Sequence, residues 1–190
     1  MTVDVTAAPN VSPALVTRLL AETDAVWRAS GLTFVWRMAP GEARPDAGIA
    51  EAGPCTAAAL HVVIGGETGV RQENRIQLGW IVFDDEHTPE RQIYLSYENA
   101  ERYLLASQGI VGVASQMTIA QRRTLLGRLM GRALAHELGH YLLASKVHTP
   151  RGLMQATRTA SDFFSIDRGG FDLDTAQRLA IASRLRAWAS

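Results

Sequence analysis

The sequence contains almost no cysteine. Cys55 is the single cysteine among 190 residues, which excludes a framework of internal disulfides. It also excludes a zinc site built mainly from thiolates, because such sites need several cysteines. Any metal site in this chain must therefore depend mainly on other ligand types.

The sequence also lacks an excess of charge of either sign. Nineteen Lys and Arg residues balance nineteen Asp and Glu residues. Proteins that bind nucleic acids carry a basic surface, and proteins that bind membrane surfaces carry a polybasic patch. We therefore expect neither nucleic acid nor another polyanion as a partner.

Long apolar runs are absent as well. No stretch approaches the roughly 20 apolar residues that a membrane-spanning helix needs, although 47% of the residues are hydrophobic. The first residues, MTVDVTAAPN, form neither the basic nor the apolar region of a signal peptide. We expect either a cytoplasmic protein or one whose signal peptide has been removed. The length fits a single domain over residues 1–190.

Four segments have the features of helices. Ser12 and Pro13 are typical of a helix start, and Ser30 and Gly31 of its end. Thr118 is followed three residues later by Gln121, which is the pattern of a capping box. The apolar spacing after it predicts one long helix to about residue 142. Two shorter helices are predicted from about Asn99 to Ser107 and from about Asp174 to Trp188.

Four segments have the features of strands. They are LTFVWRM (32–38), ALHVVIGG (59–66), GWIVF (79–83) and RQIYLSY (91–97). A loop rich in proline and glycine separates the first two, and the polar turn DDEHTPE separates the last two. The predicted order is a helix, several strands, a long helix, an irregular segment and a final helix. This order predicts an α+β fold.

The predicted long helix ends in the motif HELGH, from His136 to His140. Histidines four residues apart lie on the same face of a helix, one turn apart, so both can reach one metal ion. Glu137 follows the first histidine, at the position where HExxH sites carry a general base beside the metal. A helix whose histidines are only solvated or hydrogen-bonded is the alternative. The motif favours a metal site.

A catalytic zinc site usually has three protein ligands and a water molecule, so the two histidines require a third ligand. No glutamate occurs after Glu137, which excludes a glutamate from a later helix. His148 is the preferred candidate, because the chain can turn after Ser145 and return an imidazole to the metal. Its alternative is an exposed loop histidine. The other candidates are Asp162, Asp167, Cys55 and His61.

The stretch AHELGHYLLASKVHTPRGLM, from Ala135 to Met154, resembles the active-site region of metzincin-like zinc metallopeptidases. It is most similar to a group of uncharacterised bacterial metallopeptidases. The resemblance extends, at a lower level, to GLTFVWR, to IYLSY and to the last helix.

This resemblance implies a mixed sheet packed on an N-terminal helix and on a long active-site helix, with a cleft between the sheet and the active-site helix. It implies one catalytic Zn²⁺ held by His136, His140 and His148, with Glu137 as the general base. It also implies that Met154 belongs to a tight turn, the Met-turn, beneath the metal. The expected activity is hydrolysis of peptide bonds in a peptide or protein substrate, most simply as an endopeptidase.

The sequence departs from the metzincin pattern HExxHxxGxxH in two ways. Leu143 occupies the position of the glycine that allows the sharp turn, and seven residues instead of five separate His140 from His148. The turn must therefore be built differently. No tyrosine follows Met154, so the additional tyrosine ligand of some metzincins has no counterpart.

One predicted strand is a candidate for substrate binding. Ile93, Leu95 and Tyr97 alternate with Tyr94 and Ser96, as expected of a strand with one buried face. In the related fold, the edge strand of the sheet pairs with extended substrate through main-chain hydrogen bonds. We expect residues 93–97 to be that strand, although an internal core strand would have the same pattern.

Two further functions are consistent with the motif. The first is a non-catalytic module in which zinc is structural and the cleft only binds peptides. The second is a zinc hydrolase that acts on amides other than peptides. A structural site needs no general base, so the presence of Glu137 favours an enzyme. Phe163 and Phe164 are either the lining of a pocket for an apolar substrate side chain or part of the core.

Overall fold

The computed structural model describes residues 1–39, 59–65 and 76–189. Over these ranges the fold is α+β, with a five-stranded sheet and six helices. The strands are β1 (Thr2–Ala7), β2 (Val35–Met38), β3 (Leu60–Gly65), β4 (Gly79–Phe83) and β5 (Pro89–Ser96). The helices are α1 (Pro13–Arg28), α2 (Tyr97–Ala106), α3 (Gln108–Val111), α4 (Ile119–Leu143), α5 (Ala160–Phe164) and α6 (Thr175–Ala189).

The sheet is mixed, as the resemblance implied. Its strand order is β2-β1-β3-β5-β4. The pairs β2–β1, β1–β3 and β3–β5 are parallel, whereas β4 runs antiparallel to β5. Helix α1 connects the parallel strands β1 and β2. Among the strands of the described residues, β4 therefore forms one edge of the sheet.

The first residues of the chain form a central strand that the sequence analysis did not predict. Strand β1 pairs with β2 on one side and with β3 on the other. Val3 and Val5 are fully buried, while Thr2 and Asp4 are not. This alternation is visible in the sequence and would have predicted the strand.

The prediction that residues 93–97 form an edge strand is wrong. Residues Ile93–Ser96 belong to β5, which has β3 on one side and β4 on the other. Tyr97 is the first residue of α2. The backbone groups of β5 are therefore used within the sheet, and the alternation of its side chains is that of an inner strand.

Helix α4 is the longest helix and contacts both α1 and the strands β4 and β5. Its predicted capping box is confirmed: Gln121 donates its backbone N–H to the Thr118 hydroxyl, and its side chain accepts from the Thr118 backbone. Gly131 allows α1 to approach closely, because a β-carbon there would lie 2.6 Å from the carbonyl oxygen of Leu19. These contacts fix α4 against the rest of the fold.

The apolar side chains of the sheet and of α1, α2, α4 and α6 pack into one cluster. Trp27 of α1, Ile93 of β5 and Leu134 of α4 are fully buried within it. Over the described ranges, no helix is both long enough and apolar enough to pass through a membrane.

Candidate metal centre

His136 and His140 lie in the last two turns of α4, and the chain reverses immediately after this helix. The reversal occurs at Ala144, which has a φ of 49° in the left-handed region. Ser145 donates its N–H to the carbonyl of His140 at 3.2 Å. A non-glycine residue in this conformation therefore makes the turn, one position after Leu143, and the following segment returns His148 to the helix.

The imidazoles of the three histidines converge. The Nε2 atom of His136 lies 3.0 Å from Nε2 of His140 and 3.3 Å from Nε2 of His148. One ligand atom from each of the three rings lies within 4.8 Å of the others. The structure thus brings together the three histidines that the sequence analysis selected.

Backbone carbonyls fix the orientation and the tautomer of two of these rings. The carbonyl of Leu153 lies 2.9 Å from Nδ1 of His136, and that of Ser145 lies 2.7 Å from Nδ1 of His140. A carbonyl oxygen only accepts hydrogen bonds, so each Nδ1 carries the proton and each neutral ring has its lone pair at Nε2. Two lone pairs 3.0 Å apart repel each other unless a cation lies between them.

The residues present therefore fit a metal ion. A tetrahedral Zn²⁺ with ligand distances of about 2.05 Å separates neighbouring nitrogens by about 3.3 Å, close to the spacings found here. Burial lowers the pKa of His136 to about 4 and also lowers the pKa of His140 and His148. The neutral form, which binds metals, is thus favoured at neutral pH.

Glu137 lies next to this cluster and lines the same cleft. It is buried, with 9% of its surface exposed, and burial raises the pKa of its carboxyl group to about 8. Within the described ranges no hydrogen-bond donor reaches the carboxylate. Gly79 of β4 makes room for it, because a β-carbon at Gly79 would lie 3.2 Å from Cγ of Glu137. The carboxyl group is therefore available to a molecule in the cleft.

Met154 lies beneath the last turns of α4. Its side chain is fully buried and packs on Gly139, where a β-carbon would overlap its sulfur atom. Its carbonyl accepts a hydrogen bond from the N–H of Thr149 at 2.9 Å, and the preceding residue, Leu153, is the hydrogen-bond partner of His136. The segment that carries Met154 thus supports the histidines directly.

The cleft has a volume of about 690 Å³. The histidine cluster and Glu137 form its floor, and strand β4 forms one wall with Gly79, Trp80 and Ile81. Other parts of the wall come from α2 and from the segment after Met154. They include Tyr103, Gln155, Thr157, Arg158, Phe163 and Phe171.

The remaining candidates for the third ligand do not join the cluster. The ring of His61 lies on β3, with its Nε2 atom 2.7 Å from the hydroxyl of Thr6. Asp162 caps α5 by accepting hydrogen bonds from Thr159, and Asp167 accepts a hydrogen bond from the N–H of Gly169. Cys55 lies outside the described residues. Phe163 lines the cleft, and Phe164 is buried in the core.

A buried ion pair next to the cleft was not predicted from the sequence. Arg132, one turn before His136, is fully buried, and its Nε lies 2.9 Å from Glu22 of α1. Its guanidinium also donates hydrogen bonds to the carbonyls of Asp162, Ser165 and Asp167. Glu22 lies in the apolar series of α1, between Leu19 and Val26, and a charge in such a position indicates a buried partner.

Comparison with known proteins finds no matching protein family, no similar curated protein and no similar solved structure. The chemistry of the site is therefore inferred from its own residues.

Proposed function

We propose that this protein is a zinc-dependent peptidase of the metzincin-like type. The observation that carries the proposal is the convergence of three imidazole Nε2 atoms beside a buried glutamate, at the floor of an open cleft. The sharp turn at Ala144 and the packing of Met154 under α4 support the likeness to metzincins.

Zinc is the metal that best suits three neutral imidazoles with space for a fourth ligand. When bound, it would supply Lewis acidity for the activation of water and of a substrate carbonyl. The carbonyls of Leu153 and Ser145 hold His136 and His140 in the orientation that such a site requires.

Glu137 is the proposed general base. Its carboxylate accepts a proton from the attacking water and returns a proton to the leaving amine, which requires reach to both. Its position in the cleft, without a competing hydrogen-bond donor from the described residues, leaves it free for this exchange. Burial raises the pKa of its carboxyl group in the metal-free protein, and a bound divalent cation would lower this pKa again and so favour the carboxylate that a general base requires.

Strand β4 takes the role in substrate binding that the sequence analysis gave to β5. It is an edge strand and lines the cleft with Gly79, Trp80 and Ile81. An edge strand offers unpaired N–H and carbonyl groups along one side. An extended peptide can therefore add to the sheet at β4 by main-chain hydrogen bonds, with its scissile bond over the histidines.

The test is hydrolysis of a peptide library by the zinc-loaded protein and by Glu137→Gln. We expect the wild type to cleave peptides and Glu137→Gln to lose at least about 10²-fold in rate, since general bases contribute about 10²–10⁴-fold. Zinc content should stay near one per chain in both, because Glu137 is not a ligand. Glu86→Gln, which changes an exposed glutamate in the turn after β4, is the matched control and should cleave like the wild type.

Three results would contradict the proposal. Equal rates for Glu137→Gln and wild type would show that Glu137 is not the base. A zinc-loaded wild type that binds peptides without cleaving any of them would favour the non-catalytic module. Cleavage of simple amides but not of peptides would favour the hydrolase of non-peptide amides.

A further inference from the structure

We propose that Arg158, together with the rings of Tyr103, Phe163 and Phe171, forms a pocket that binds a carboxylate of the substrate. This inference depends on the proposed peptidase function and names the substrate chemistry that the cleft prefers. These four residues form the carboxylate pocket.

The four side chains form one continuous part of the cleft wall. The ring of Phe163 meets Tyr103 edge-on at 5.7 Å and lies 6.4 Å from Phe171. The guanidinium of Arg158 lies over Phe171, 3.8 Å from the ring centroid. All four residues line the cavity that contains His136. The pocket thus presents a cation at an aromatic wall.

One nitrogen of the Arg158 guanidinium is hydrogen-bonded to backbone carbonyls, and the other two can donate to a bound molecule. Its Nη2 donates to the carbonyls of Gly152 and Gly170, the latter at 2.6 Å. Across residues 1–39, 59–65 and 76–189, its Nε and Nη1 atoms have no hydrogen-bond partner, and no carboxylate forms an ion pair with it. A guanidinium offers paired donors that match the two oxygens of a carboxylate.

The charges that line the cleft favour an anionic group. The cations are Arg132, Lys146 and Arg158, while Glu137 is the single acidic residue among the described lining residues. Glu22 pairs with Arg132 and also with Arg168. Asp162 interacts electrostatically with Arg158 but forms no ion pair with it. Cations therefore outnumber acidic residues among the described lining residues, although the whole chain has no net charge.

Two of the lining cations, Lys146 and Arg158, lie in different parts of the cleft. Lys146 lies over the ring of Phe83, the last residue of β4, with its Nζ 5.2 Å from the ring centroid. Asn99 of α2 donates to the carbonyl of Gln77, just before β4 begins, and α2 also carries Tyr103. The carboxylate pocket therefore lies towards the start of β4, and Lys146 serves as a matched control for a cation elsewhere in the cleft.

A substrate carboxylate has two sources, an acidic side chain or the C-terminus of a peptide. The experiment measures equilibrium binding to zinc-loaded Glu137→Gln protein by fluorescence anisotropy, so that cleavage does not interfere. Amidated peptides carry one glutamate at successive positions, each paired with a peptide that has glutamine there. A second set compares free C-terminal acids with their amides. The same peptides are then digested with the wild type.

We expect the carboxylate form to bind about tenfold more tightly than its neutral partner at one position, which corresponds to one charge-assisted contact. Adding Arg158→Gln should remove this preference and leave the affinity for the neutral peptides within about twofold. Adding Lys146→Gln should preserve the preference at that position. Arg158→Glu should reverse the charge preference, so that a peptide with lysine at that position binds better than the peptide with glutamine. A loop that is merely disturbed by the substitution would not bind the lysine peptide more tightly.

Equal binding of every carboxylate and neutral pair would overturn the inference, as would a preference that survives Arg158→Gln. Wild-type cleavage of these same peptides would then leave the peptidase function intact. If no peptide is bound or cleaved, the proposed function fails, and the carboxylate pocket fails with it.

Discussion

Each histidine of α4 depends on one backbone carbonyl for its role. Leu153 and Ser145 accept the Nδ1 protons of His136 and His140, which directs the Nε2 lone pairs towards one point. Both carbonyls belong to the segment that follows the helix, so the ligand geometry requires that segment to fold correctly. The motif HELGH supplies the imidazole rings, and the carbonyls of the following segment determine which ring nitrogen carries the proton.

The lowered pKa of His136 predicts a loss of stability in acid for the metal-free protein. In the unfolded chain a histidine takes up its proton near pH 6.5, whereas folded His136 does so only near pH 4. The unfolded state therefore binds more protons between these values, and the free energy of unfolding falls as the pH falls through them. A difference of this size corresponds to about 3 kcal/mol. Urea unfolding in the presence of a metal chelator, at several pH values, measures this change in the free energy of unfolding.

Glu137 opposes this effect, because its pKa is raised to about 8 in the folded state and its protonation stabilises the fold below that pH. The decrease in stability between pH 6.5 and 4 should therefore be larger in Glu137→Gln than in the wild type. Adding His136→Asn to Glu137→Gln should make the decrease smaller. A decrease that is the same in all three proteins would contradict the assigned pKa values.

The site residues differ in how far the sequence predicts them. His136, Glu137 and His140 follow from helical spacing, and His148 follows from the short distance along the chain. Arg158 and Gly79 do not, because their roles depend on contacts between segments far apart in sequence. No local pattern distinguishes Arg158 from the other surface arginines.

At the scale of elements, Arg132 joins three parts of the fold. It extends from α4 to Glu22 of α1 and to three carbonyls of the segment that contains α5. The segment that ends at Phe171 forms part of the cleft wall. The buried guanidinium thus connects α4 both to α1 and to the segment that forms part of the cleft wall.

Arg132→Gln should lower the free energy of unfolding by about 1.5–3 kcal/mol, because Glu22 loses its buried partner and keeps only the half-exposed Arg168, at 2.6 Å. Three backbone carbonyls also lose the guanidinium as their donor. Arg37→Gln is the matched control. It removes the pair with Asp4 between β2 and β1 at 2.8 Å, but the Arg37 side chain is 60% exposed, and such pairs contribute about 0–1 kcal/mol. Chemical unfolding of both variants at neutral pH compares the two. Similar losses would contradict the role of the Arg132 pair.

The elements themselves were largely predictable, but the strand order was not. Helix α4 and its capping box follow from spacing and cap residues, and strand β4 has the predicted bounds. The positions of β5 inside the sheet and of β4 at its edge depend on pairings between distant segments. The alternation of side chains in β5 marks one buried face and gives no information about its neighbours.

At the scale of the whole molecule, charge is distributed unevenly despite a net charge of zero. Cations outnumber acidic residues among the described lining residues of the cleft, and a bound divalent ion would add positive charge there. The balanced composition gave no reason to expect a polyanion as a partner, but composition cannot predict a local excess of charge. The local excess depends on Lys146 and Arg158, which pack on Phe83 and Phe171 in the cleft wall.

The most direct measurement of the central claim is the X-ray absorption spectrum of the zinc-loaded full chain at the zinc edge. We predict a four-coordinate ion with three imidazole nitrogens, from His136, His140 and His148, and one oxygen from solvent. Replacement of His148 by Asn should reduce the imidazole count to two. A spectrum with four protein ligands, or with an imidazole count that His148→Asn leaves unchanged, would contradict it.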